Sequence, residues 1–148
     1  MPTNILRGAA KPAAARVRRP RGGKREVLIR VGRVVLRARL LDTPTADRIW
    51  AALPLYGTAN VWGAAVEIAT PLESGRERGA RQAVRAGEIA FRPEAGSILI
   101  VYGRTPTSRG AELRLPSTGN IWAEALDDVA ALAATRPGDK ASILHADS

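Results

Sequence analysis

From Glu26 onward, apolar residues alternate with polar ones. Val27, Ile29 and Val31 share one parity. Val34, Leu36, Ala38 and Leu40 share the next, with Arg33, Val35, Arg37 and Arg39 between them. A period of two sends successive side chains to opposite faces, so both stretches predict half-buried strands, the second with a basic outer face. Gly32-Arg33 separates them. Glycine at the first central position of a two-residue turn accepts positive φ without a Cβ clash, which suits a type II′ hairpin.

The period then changes. Thr43 can cap a helix, Pro44 fits its first position, and Asp47 lies in its first turn. Ala46, Ile49, Trp50 and Leu53 form one apolar stripe, ended by Pro54. Residues 60–69 read as one strand with a bulge or close-packing point at Gly63. Residues 72–81 mix charges with Gly75 and Gly79 and read as a mobile, solvated loop. Residues 87–92 and 97–102 predict short strands around a turn at 93–96. Residues 103–108 and 115–119 read as loops. Residues 120–122 predict a short strand feeding a helix over 123–134, with Trp122, Leu126, Val129 and Ala133 as its buried stripe. A turn at 136–139 precedes a closing strand at 140–145. Many short strands and two amphipathic helices predict a mainly β fold, a barrel or sandwich with helices over its open ends. Closure would remove exposed strand edges.

Composition narrows the chemistry. The chain has 148 residues, no cysteine and one histidine. Without cysteine there is no disulfide framework, thiolate zinc site or cysteine nucleophile. His145 alone builds no multi-histidine site, so neither metal nor cofactor is expected. No apolar run approaches the roughly 20 residues of a membrane span, and no signal-peptide pattern opens the chain. The expected setting is cytoplasmic, with no membrane partner.

The formal net charge is +9, and residues 1–25 supply eight of those charges with no acid. Residues 26–148 carry 15 basic and 14 acidic residues, so the expected folded domain is nearly neutral. Residues 1–25 are rich in Ala, Arg and Pro, and predict a disordered basic tail. Such an arm can bind nucleic acid or another polyanion through counterion release. A solubilising tail, a stretch upstream of the true start and an organelle transit peptide are the other readings.

A series of motifs carries a resemblance. Gly87-Glu88-Ile89-Ala90-Phe91-Arg92-Pro93, then Ser97-Ile98-Leu99-Ile100-Val101-Tyr102-Gly103-Arg104-Thr105-Pro106, resembles the signature of small prokaryotic cyclophilin-like proteins. Asn60-Val61-Trp62-Gly63, Ile68-Ala69-Thr70-Pro71, Asn120-Ile121-Trp122 and Pro137-Gly138-Asp139 fit the same pattern. The resemblance covers about residues 26–146. It implies a closed cyclophilin-like β-barrel with two capping α-helices, and no established activity. True cyclophilins hold a prolyl peptide in a groove on the barrel's outer face, where an arginine hydrogen-bonds the prolyl nitrogen beside an apolar pocket. Residues 60–69 contain neither Arg nor Phe. Ile98 and Ile100 stand where the enzymes place a glutamine and a phenylalanine, and Thr107 or a neighbour where tryptophan is common. Arg92 or Arg104 would have to substitute for the catalytic arginine.

These readings make the domain a barrel that presents its outer groove to a small molecule or peptide. Trp62, Phe91 and Tyr102 would supply apolar walls. Asn60, Thr105 and Ser108 would supply hydrogen bonds, and Glu67 and Arg104 the charge preference; Tyr56 and Arg92 complete the set. The alternatives are a divergent peptidyl-prolyl cis-trans isomerase and polyanion binding through the tail.

Overall fold

A computed structural model describes residues 25–146. The basic tail expected over residues 1–25 therefore lies outside the described residues, except for Arg25. Its guanidinium bonds Asp47 Oδ1 at 2.9 Å and lies over the Trp50 ring at 5.8 Å.

The first two strands, β1 (Glu26–Val31) and β2 (Val34–Leu40), form the expected hairpin. Val31 opposes Val34, which leaves Gly32-Arg33 as a two-residue turn with φ +59° at Gly32. Helix α1 (Pro44–Ala52) begins where the capping residues indicate. Thr43 Oγ1 accepts from Ala46 N at 3.1 Å, and Ala46 and Ile49 are buried. A capping threonine of this kind is worth about 1 kcal/mol.

The stretch expected as one strand over 60–69 is two. Strands β3 (Leu55–Val61) and β4 (Ala65–Ala69) run antiparallel, with Val61 opposite Val66. Gly63 sits in the turn between them at φ +57°, where a Cβ would lie 2.8 Å from Pro106 Cδ. Close approach to the 104–106 backbone explains the glycine better than a bulge. Strand β5 (Arg81–Val84) starts at the last residue of the expected loop and is not among the expected elements; it is followed by β6 (Glu88–Arg92) and β7 (Ser97–Val101).

The second expected helix is the largest correction. Residues 113–125 form one long strand, β8 (Leu113–Ala125), and only Val129–Ala134 is helical, as a 3₁₀ helix. Residues 115–119 are thus strand and not loop. The Ala-rich sequence after Asn120 favours a helix locally, but Ala123 pairs with both Ile89 and Leu40 and helps close the sheet. Tertiary pairing overrides weak propensity here. Trp122 and Val129 are buried as expected, whereas Leu126 and Ala133 are exposed. Strand β9 (Lys140–His145) then inserts between β1 and β3.

All pairings between strands are antiparallel. The order is β2-β1-β9-β3-β4-β7-β6-β8, and β2 pairs back onto β8. That contact closes a ring of eight strands, with β5 attached to β8 outside it. The expected mainly β, barrel-like architecture with two helices is present, one helix being α and the other 3₁₀.

Two apolar clusters divide the molecule. The larger fills the ring with Ile29, Ile49, Ile89, Phe91, Ile98, Ile100, Trp122 and Leu132 among others. The smaller holds Ala65, Val84, Ala90, Leu99, Val101, Leu115 and Ile121. Its ring members have the opposite strand parity, so it lies on the ring's outer wall beneath β5 and the first half of β8. Residues 97–101 are therefore buried on both faces, which explains the unbroken apolar run over 98–101. Among the described residues no helix is long and apolar enough to cross a membrane.

Candidate functional site

The outer wall is where strand parity collects polar side chains. On β3, Tyr56, Thr58 and Asn60 share the parity opposite to the buried Leu55 and Ala59. On β4, Glu67 lies between the inward Val66 and Ile68, and Asn60 is its cross-strand partner. Ser97 lies across from Arg92 on the neighbouring pair of strands. These positions converge on one contact. Glu67 Oε2 accepts from Arg92 Nη1 and from Ser97 Oγ, both at 2.6 Å. Arg92 Nε donates to Ser117 Oγ at 3.0 Å.

The Arg92 side chain is only 14% exposed and that of Glu67 24%. Four strands thus hold one guanidinium in a fixed orientation with its charge neutralised. Its Nη2 forms an ion pair with the exposed Glu94 Oε1 at 3.7 Å, too long for a hydrogen bond, and Glu67 Oε1 makes no hydrogen bond among the described residues. The pair retains donor and acceptor capacity at the surface.

The remaining candidates divide. Trp62 packs against the outer cluster at the β3–β4 turn. Tyr56 is 71% exposed on β3, opposite Ser142 rather than beside Arg92. Phe91 is fully buried inside the ring, since its parity is that of Ile89; it belongs to the core and offers no wall to an outer ligand. Tyr102 likewise packs on the interior cluster.

Arg104, Thr105 and Ser108 form one compact loop. Its backbone rests on the β3–β4 turn, with Ala64 N donating to Arg104 O at 2.8 Å. The Arg104 side chain turns into its own loop and donates to the carbonyl of Gly110. Thr105 N donates to Ser108 Oγ at 2.9 Å, and Thr105 Oγ1 donates to Arg114 O. Thr105 is 5% exposed. The polar groups of this loop are spent on shaping it, while its backbone frames the wall beside Trp62.

Two polar clusters escaped the sequence reading. Glu88 is buried, and it accepts from Arg81 Nη1 and Nη2 at 2.9 and 2.7 Å and from Arg85 N at 2.8 Å. The Arg81 bonds hold its carboxyl at about 2, below the usual 4.5, against the opposing effect of burial; the Arg81 guanidinium is raised in turn. A lone acid opening the apolar run Ile89-Ala90-Phe91, with arginines three and seven residues earlier, was the available signal. The second cluster surrounds Asn120, which is wholly buried. Its Oδ1 accepts from Glu77 N, and its Nδ2 donates to Thr45 Oγ1 and Gly75 O, each at 2.9 Å. Glu77 Oε2 in turn accepts from Thr45 N at 2.8 Å. The segment read as a mobile loop is thereby tied to β8 and the start of α1.

Comparison with known proteins places this architecture. No curated protein matches the chain. The solution structure of a hypothetical protein from Archaeoglobus fulgidus is similar at a TM-score of 0.73, covering 85% of this chain and 98% of that one at 24% sequence identity; the two share a fold. The model of the Cyclophilin-like family matches residues 25–144. With a closed antiparallel ring, two helices and a family match over most of its length, the chain belongs to the Cyclophilin-like family.

Proposed function

We propose that the outer wall around Arg92 binds a neutral carbonyl or amide acceptor, carried by a short peptide or an amide-bearing small molecule. The observation that supports this reading is the state of the guanidinium. Glu67 and Ser117 fix its orientation, and Glu67 cancels its charge. A fixed donor loses little conformational entropy on binding. A neutralised one gains little from an anionic ligand, so a neutral acceptor is the better match. Asn60 and Glu67 Oε1 stand on the same wall to receive or donate further hydrogen bonds, and Trp62 supplies apolar surface nearby.

Titrating the full-length chain with acetyl-alanyl-proline methylamide, followed by amide proton–nitrogen spectra, tests this. Shifts should centre on Glu67, Arg92, Ser97 and Ser117, and Arg92→Ala should abolish them. Shifts confined to other surfaces would remove the reading.

A second reading, a divergent prolyl isomerase, draws on the same Nη2 group. A donor aimed at a prolyl nitrogen weakens amide resonance and lowers a barrier of about 20 kcal/mol. A prolyl-peptide isomerisation assay separates the two. Turnover above background that disappears in Arg92→Ala and persists in Arg104→Ala supports the enzyme. Binding without turnover supports the binding module alone.

A further inference from the structure

A second surface, separate from the Arg92 wall, has the attributes of a ligand site. A shallow, open cavity of about 630 Å³ lies between β5 with the residues after it and the start of β8. That volume falls within the roughly 300–1,000 Å³ of small-molecule pockets. Val84, Ala86, Ala111 and Leu113 give it an apolar lining, while Arg81, Arg85 and Glu112 stand at its margin.

The charges at the margin do not cancel. Glu88 takes both Nη groups of Arg81, and the Arg85 backbone N–H completes its set of strong donors. Glu112 is paired with Arg114 at 3.2 Å. The Arg85 guanidinium donates to Glu88 Oε2 only through Nη2, at a long 3.5 Å, and its side chain is 83% exposed. One carboxylate, that of Glu88, thus faces two guanidiniums, and the more weakly held and more exposed one is at the mouth. A planar guanidinium with open N–H pairs matches a carboxylate in a forked geometry.

We propose that this cavity binds a small organic monocarboxylate, with its apolar body against Val84 and Leu113 and its carboxylate on Arg85. This ligand class is the converse of the one proposed for the Arg92 wall, where the arginine is neutralised and mostly covered. The two sites are independent, and each can fail alone.

The experiment titrates the full-length chain with 3-phenylpropionate and, separately, with the isosteric 3-phenylpropanamide, reading amide proton–nitrogen shifts. The carboxylate should shift residues 84–86 and 111–113 and bind more tightly than the amide. Arg85→Gln should weaken the carboxylate about fivefold, as suits an exposed charge pair, and leave the amide unchanged. Ala111→Glu, at an exposed position, should weaken the carboxylate through like charge without disturbing the core. Equal binding of acid and amide would overturn the proposal. So would indifference to Arg85→Gln, or the absence of shifts in this region at millimolar ligand.

Discussion

The molecule contains two arginine–glutamate pairs of opposite construction. At Glu88 the acid is the buried partner: its side chain is 7% exposed, that of Arg81 44%, and both carboxylate oxygens are engaged. At Glu67 the arginine is the more buried partner. A single oxygen takes both Arg92 and Ser97, so the other oxygen makes no hydrogen bond among the described residues, and Arg92 Nη2 has only a long 3.7 Å ion pair with Glu94. A saturated pair has little hydrogen-bonding capacity left for a ligand. An unsaturated pair, held by neighbouring strands, keeps hydrogen-bonding capacity for something else. This difference, more than the presence of charge, is what supports the binding role proposed above for the Arg92 wall.

The contrast breaks most visibly at Glu88. Glu88→Gln should cost about 2 kcal/mol of unfolding free energy, since it removes a buried anion from two guanidiniums that solvent partly screens. Urea denaturation checks this, and the Arg92 wall should bind its dipeptide unchanged. The pH dependence sharpens the same point. The Glu88 carboxyl lies at about 2 in the folded chain against 4.5 ordinarily, so the unfolded chain takes up the proton first. The stabilisation is complete above pH 4.5 and drains away as pH falls toward 2. In Glu88→Gln that part of the stability curve should flatten; an unchanged slope would place the acid sensitivity elsewhere.

Smaller effects are expected at the other pair. Arg92→Ala should cost about 1 kcal/mol, because Ser97 still serves Glu67 and solvent reaches the carboxylate. Its main consequence should be lost dipeptide binding, read by titration. Arg104→Ala should change stability by less than about 0.5 kcal/mol and leave binding intact, since its side chain serves only its exposed loop. A large binding defect in Arg104→Ala would shift the site to that loop.

Local rules made much of this fold legible. The β1–β2 hairpin, its two-residue turn and the Thr43 cap follow from residues close in sequence, and the structure contains each of them. What escaped depends on distant partners. Residues 115–119 carry Pro116, Ser117, Thr118 and Gly119, which signal a loop; β5 turns them into a strand, with an irregular register between the Arg81 and Ala83 pairs that accommodates them. Residues 123–125 favour a helix until β2 and β6 claim them. The site divides along the same line. Glu67 and Arg92 were both visible as charged residues on alternating strands. Their meeting required β7 to lie between β4 and β6, a matter of sheet order that spacing does not encode. Phe91 faces the core where the sequence predicts a ligand wall, because aromatic character alone does not say which face of a strand it occupies; its register with Ile98 does.

The most direct test observes the arginine side chains themselves. In proton–nitrogen spectra of arginine side chains, adding acetyl-alanyl-proline methylamide should move the Arg92 resonance and leave that of Arg81 in place. Movement of Arg81 with Arg92 unmoved would contradict the distinction between saturated and unsaturated pairs, and with it the assignment of the binding wall.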